Sequence, residues 1–147
     1  MSNEGTDKKC NSIDIIHDAV KNALIKDGWT ITADPYTIKY EEVKLFADLA
    51  AERQLLAERS GQKIVVEVKS FTGASFIRDL EEALGQYIIY RNLLTVTAHD
   101  YDLYLAINER TFIGFFQQKA IQLIVQQNQM RLIVVNIASE VITQWIE

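Results

Sequence analysis

Two hydrophobic periodicities alternate along the chain, and their order predicts its elements. Ile13, Ile16, Val20, Ala23 and Leu24 recur at helical spacing, while His17, Asp18, Lys21 and Asn22 fall on other faces. Ser12 offers an N-cap and Asp27-Gly28 a stop, so a helix is predicted over 12–26. Trp29-Thr30-Ile31-Thr32 alternates as a short strand ended by the turn signal Asp34-Pro35. From Phe46 to Arg59 the pattern is mixed. Its Ala, Leu, Glu and Arg content favours a helix by propensity, and Leu49, Ala51, Leu55 and Ala57 suit either element. Ser60-Gly61 followed by the alternating run from Lys63 to Lys69 makes a hairpin more economical, so the segment is read as a strand. Ser75 opens a helix to about Asn92, with Ile77, Leu80, Leu84 and Ile88 as its buried stripe. A strand over 102–107 and one helix over 111–127 follow, the helix carrying Phe112, Phe115 and Phe116 first, then Ile121, Ile124 and Val125. Segments 131–136 and 141–146, joined through Ala138-Ser139-Glu140, close as a hairpin. The order α-β-β-β-α-β-α-β-β predicts one sheet with helices packed on it, an α/β domain.

At 147 residues, 48% hydrophobic and 24% charged, the chain supports one packed core. Residues 1–11 are polar and are expected to form a flexible leader before a single domain over 12–147. They carry no apolar signal-like core, and no stretch reaches the ~20 apolar residues of a membrane span. The lone Cys10 has no partner for a disulfide and no histidine placed to activate it, so a reducing, cytoplasmic setting is expected and a thiol nucleophile is not. Phosphate-binding glycine loops and zinc-ligand spacings are absent from the sequence. The net charge of −5 and pI near 5.1 are ill suited to holding DNA unaided, because phosphate neutralisation supplies most non-specific affinity. A DNA contact would be transient, or a protein partner would bring the positive surface.

Chemistry concentrates between Ile64 and Lys69. Strand alternation points Ile64, Val66 and Val68 one way and Val65, Glu67 and Lys69 the other. Glu67 and Lys69 are therefore neighbours on one face, about 7 Å apart along the strand. A carboxylate to anchor a divalent cation and a lysine to orient water or stabilise phosphate charge suit metal-dependent phosphodiester cleavage. Asp48, upstream across the predicted hairpin, supplies the second carboxylate that a hard cation such as Mg²⁺ requires. The three are expected to converge in one cleft. Val-Glu-Val-Lys is equally the pattern of any strand with one solvated face, its charges weakly paired, and the residues alone leave both readings open.

The segments "DIIHDAVKNALIKDGW", "ADLAAERQLLAERSGQKIVVEVKSF", "ALGQYIIYR", "FFQQKAIQLIVQQNQMRLIVV" and "VITQWI" resemble, in order, signatures of the XisH family of fdxN-element excision controlling factors, over nearly the whole chain beyond the leader. The resemblance implies a PD-(D/E)xK restriction-endonuclease-like fold, a mixed central sheet flanked by helices. It also implies a role in excising the fdxN DNA element during cyanobacterial heterocyst development, beside a site-specific recombinase and a small XisI-like companion. Carried over by position, Asp48 takes the motif's aspartate, Glu67 its acidic residue and Lys69 its lysine. Gln86 matches the helix glutamine of some superfamily members, and Mg²⁺ or Mn²⁺ is the implied cofactor with Asp48 and Glu67 as its ligands. Ala47 replaces the motif's proline, and Lys44 stands where close relatives are expected to carry aspartate.

His17 and Asp18 are further candidates, because the first helix often supplies an acidic residue in this superfamily, although solvent-facing positions are the simpler reading. His99, in the turn-like Ala98-His99-Asp100, is read as a surface residue, and Asp34-Pro35 as a turn. Gln117, Gln118, Gln122, Gln126, Gln127 and Gln129 give the third helix an amide-rich side suited to meeting a second copy or the XisI-like protein, since amides cost less than charges to desolvate. Two functions compete: excision control with a metal-dependent DNA endonuclease site, and a non-catalytic nuclease-like scaffold that binds the recombinase or the companion.

Overall fold

The computed structural model of the protein describes residues 4–54 and 61–147, the side chains of 4–14 excepted. Helix α1 spans Glu4–Lys26 and is followed by strands β1 (Thr30–Ala33), β2 (Tyr36–Tyr40), β3 (Val43–Ala47), β4 (Leu49–Arg53) and β5 (Gln62–Val68). Then come α2 (Phe76–Thr97), β6 (Asp102–Asn108), α3 (Glu109–Phe115), α4 (Lys119–Gln127), β7 (Leu132–Asn136) and β8 (Val141–Ile146). Six strands form one sheet in the order β1-β4-β5-β6-β7-β8, and β2 with β3 forms a separate ribbon. β5, β6 and β7 run parallel through the middle, joined by helical crossovers, while β1, β4 and β8 add antiparallel edges. The mixed α/β domain with a helix-flanked central sheet agrees with the fold class read from the sequence. Among the described residues no helix is long and apolar enough to cross a membrane.

The central strands are apolar on both faces, as a sheet covered on two sides must be. Val65, Leu103, Leu105, Ile107, Leu132 and Val134 pack beneath α2, α4 and the β2–β3 ribbon. Ile64, Val66, Tyr104, Ala106, Ile133 and Val135 pack against Val20, Ala23 and Leu24 of α1 and against Trp29. Each fully buried Val, Leu or Ile contributes roughly 1.5–3 kcal/mol, so β5 is stiffly held where its charged residues begin.

Several boundaries depart from the sequence reading. α1 starts at Glu4, upstream of Ser12, whose capping side chain lies outside the described residues, as does that of Ile13. Its end is as read: Gly28 takes a φ of +95°, with Gly28 N donating to Ile25 O and Trp29 N to Leu24 O. Segment 46–59 is not one strand. Two strands meet at Asp48, and Leu55, Ala57 and Ser60 lie outside the described residues. The hairpin itself forms, with Leu49 opposite Val66 and Arg53 opposite Gln62. A Cβ at Gly61 would come within 2.5 Å of Arg53 O, so only glycine fits there.

The buried stripe of α2 is Leu80, Ala83, Tyr87, Tyr90 and Leu94, whereas Ile77 is 50% exposed and Leu84 and Ile88 only part-buried. The helix is turned to bury two tyrosines whose hydroxyls find partners in the core. The single helix expected over 111–127 breaks into α3 and α4 at Gln118, whose backbone is extended, just after Phe116, which still closes the last turn on Phe112 O and lies edge-on to Phe71 and Phe76.

Tyr87 joins three elements: its hydroxyl donates to Leu103 O and accepts from Arg131 N, both at 3.0 Å. Tyr87→Phe strands both backbone groups in the core and is expected to cost about 1–3 kcal/mol by urea unfolding. A loss below about 0.5 kcal/mol would show that water or local relaxation satisfies them.

Candidate functional site

Asp48 belongs to neither sheet. The chain leaves the ribbon at Ala47 and joins the six-stranded sheet at Leu49, and both neighbours are fully buried. Asp48 therefore has no ladder partner, and its backbone N–H donates to Glu67 Oε1 at 3.2 Å. In return Val68 N donates to Asp48 Oδ2 at 2.7 Å. Each carboxylate satisfies a backbone amide at or beside the other, one step beyond the Leu49–Val66 register pair. Lys69 follows at the end of β5, its backbone N tied to Ala106 O and its ammonium 2.8 Å from Glu82 Oε1 on α2. From the opposite side of the sheet α1 delivers His17, with Nε2 2.9 Å from Asp34 Oδ1 and Nδ1 3.6 Å from Asp48 Oδ1. Lys21, one turn on, donates to Asp34 Oδ2 at 2.8 Å. A cavity of about 180 Å³ opens among Ile16, His17, Asp48, Val68, Lys69 and Ser70. A larger cleft of about 420 Å³ near Arg91 and Glu147 holds no such pair of carboxylates, so size does not locate the chemistry.

The site is electrostatically tense. Burial, and then the negative charge of Asp48, push the Glu67 carboxyl up to about 8 from its ordinary 4.5. Tyr90, whose hydroxyl donates to Phe46 O, is pushed up to about 12 by burial and by the charges of Glu67 and Asp48. Burial acts upward on Asp34 as well, yet Lys21 and His17 hold its carboxyl below the ordinary range. Two hard oxygen donors that resist both being charged suit a divalent cation, which would offset the charge that neither can relieve. Among the described residues no three His, Cys, Asp or Glu side chains form a ready-made cage. A cation here would draw on water and substrate oxygens for the rest of its shell, as Mg²⁺ commonly does.

Of the residues singled out in the sequence, Asp48, Glu67 and Lys69 lie together at the end of β5. Gln86 sits part-buried on α2 between Glu82, which holds Lys69, and Tyr90, which feels both carboxylates. Its four-residue spacing from each puts it on the same helix face. His17 is brought in and Asp18 stays exposed. His99 is exposed in a turn, and Lys44 lies over the Phe46 ring at 5.7 Å on the ribbon. Sequence reasoning passed over Asp34, taken only as a turn residue, and Glu82 and Tyr90, whose i, i+4, i+8 alignment with Gln86 was the available signal.

Fold and site together define a mixed α/β domain with paired carboxylates and a lysine at the end of a central parallel strand. The family model described as XisH protein matches residues 11–143, and the chain belongs to that family. It is similar to the crystal structure of an XisH family protein from Nostoc punctiforme PCC 73102, at 42% identity with a TM-score of 0.83, covering 90% of this chain and 99% of that one. It is also similar to the crystal structure of a fdxN element excision controlling factor protein from Anabaena variabilis, at 45% identity with a TM-score of 0.82, covering 91% and 99%. None of the curated proteins matches the chain.

A carboxyl raised in the folded state contributes most below its unfolded value, and that contribution is lost as pH rises through its folded value. Without added metal, wild-type stability is therefore expected to fall relative to Glu67→Gln between about pH 4.5 and 8. Denaturant melts at pH 5 and pH 9 measure this, and curves that stay parallel would contradict the assigned strain.

Proposed function

We propose that the protein is a controlling factor for programmed excision of a DNA element of the fdxN type, and that its domain is a PD-(D/E)xK nuclease-like one with a metal-dependent endonuclease site. The observation that carries the reading is the reciprocal bonding of Asp48 and Glu67 next to a cavity lined by Asp48 and Lys69. A solvated strand face has no need to bury one carboxylate against another. Excision control is supported by the name of the Anabaena variabilis relative.

In this reading Asp48 and Glu67 hold Mg²⁺ or Mn²⁺. When bound, such an ion polarises a phosphate oxygen and makes its bound water more acidic. To hold the ion Glu67 would give up its proton, so metal uptake near pH 7 would release protons. Lys69, paired with Glu82, lines the cavity, and its positive charge would meet the charge that builds on a phosphate under attack. Gln86 adds an uncharged amide on the adjoining face of α2 to orient water or phosphate.

One observation favours a second reading, a non-catalytic scaffold: the Lys69 ammonium already has a carboxylate partner in Glu82. The net charge of −5 points the same way for DNA affinity. DNA is then met in a transient contact or through partners, a site-specific recombinase or an XisI-like companion. The exposed Gln117, Gln118, Gln122, Gln126, Gln127 and Gln129 offer an amide surface for the companion or a second copy.

With Mg²⁺ or Mn²⁺, nicking of supercoiled plasmid is expected, and Lys69→Ala should lower its rate about a hundredfold, roughly 3 kcal/mol of transition-state stabilisation. The same change should cost only about 0.5 kcal/mol of folding stability. Activity surviving both Lys69→Ala and Glu67→Gln would not come from this site. A wild type inactive alone and with its companion and recombinase leaves the scaffold.

A further inference from the structure

We propose that His17 is a direct ligand of the cation, binding through Nδ1 beside Asp48 Oδ1 with Asp34 fixing the ring from behind, and that this nitrogen donor makes the site select Mn²⁺ over Mg²⁺. The inference rests on the metal-site reading above and extends it to a residue of α1.

The hydrogen bonds around His17 determine which of its nitrogens is free. Asp34 accepts from Lys21 at 2.8 Å through Oδ2 and lies 2.9 Å from His17 Nε2 through Oδ1. A carboxylate engaged with an ammonium has no hydrogen to offer, so His17 Nε2–H is the donor of that bond. A neutral imidazole donating from Nε2 carries a bare lone pair at Nδ1. That lone pair faces Asp48 Oδ1 at 3.6 Å, beyond hydrogen-bonding distance. The other oxygen of Asp48 is taken by Val68 N, which leaves Oδ1 as the open ligand position.

With the ring neutral, as a metal-bound imidazole must be at Nδ1, two electron-pair donors face each other across this gap. A cation fills such a gap. Two donors of one octahedral ion, each about 2.1 Å from it, stand about 3.0 Å apart when cis and about 4.2 Å when trans, so the 3.6 Å separation lies within the span of a shared ion. A carboxylate that fixes ring and tautomer from the far nitrogen is the usual outer support of a metal-bound histidine. His17 and Asp48 also line the same cavity as Lys69, so an ion between them meets the space a phosphate would occupy. Imidazole suits first-row transition ions, whereas Mg²⁺ keeps to oxygen ligands, hence the preference for Mn²⁺.

The test uses the full chain with Mn²⁺ or Mg²⁺ alone, by calorimetric titration and by electron spin-echo spectroscopy of the Mn²⁺ form. The chain has two histidines, His17 and His99. The Mn²⁺ form is expected to show coupling to a directly bound imidazole nitrogen that persists in His99→Ala and disappears in His17→Ala. His17→Ala should lower Mn²⁺ affinity by about 10–100-fold with less than about a threefold change for Mg²⁺, and Asp34→Asn should lower Mn²⁺ affinity about tenfold. Thermal melts of each variant separate loss of binding from loss of fold, and the wild-type spectrum needs no variant. Mn²⁺ binding without nitrogen coupling, abolished by Glu67→Gln but untouched by His17→Ala, overturns the role of His17 and leaves the carboxylate site standing. A wild type that binds neither ion overturns both.

Discussion

The bond pair between Asp48 and Glu67 is the constraint around which this end of the molecule is organised. Asp48 N reaches Glu67 Oε1 and Val68 N reaches Asp48 Oδ2 where the β2–β3 ribbon gives way to the six-stranded sheet. Buried backbone amides require partners, and here carboxylates supply them in place of a strand. The strand break at Asp48 is therefore stabilised by the groups that carry the proposed chemistry. Buried Ala47 and Leu49 on either side, and the apolar β5 beneath, keep the pair from relaxing apart.

Two layers of the domain converge on that point. α2 lies on one face of the sheet and supplies Glu82 to Lys69, with Tyr90 near the carboxylates and Gln86 between. α1 lies on the other face and supplies His17, itself held by Asp34 at the exit of β1. The site is thus built from five separated stretches of chain, while its stiffness comes from Val65 and Val66, both fully buried. Such separation of a rigid support from the reactive groups is what positioned chemistry requires.

Much of this was legible in the sequence because it is local. The Val-Val-Glu-Val-Lys alternation predicts both faces of β5, and Asp27-Gly28 and Ser75 mark helix ends that form as read. The β2–β3 ribbon escaped notice because its turn uses Glu41 at a φ of +51°, where glycine or asparagine is the usual signal. The break between α3 and α4 has neither glycine nor proline at 116–118. The chain turns extended at Gln118, beside Phe116, whose ring packs on Phe71 and Phe76, rings distant in sequence. The buried stripe of α2 is turned from the aliphatic one toward Tyr87 and Tyr90, because partners distant in sequence satisfy the hydroxyls; Tyr87 is 1% exposed with both its hydrogen bonds made.

The candidate site divides along the same line. Glu67 and Lys69 follow from period-two alternation, and Asp48 from the hairpin together with the family resemblance. Asp34 and Glu82 act through side chains whose partners lie 17 and 13 residues away, and no local pattern announces such pairings. The central claim is that Asp48 and Glu67 hold one cation together. Crystals grown with Mn²⁺ and measured at the manganese edge test it most directly. One anomalous peak is expected within about 2.0–2.4 Å of an oxygen of each carboxylate. A fully occupied manganese elsewhere, with Glu67 still bonded only to the Asp48 amide, would contradict it.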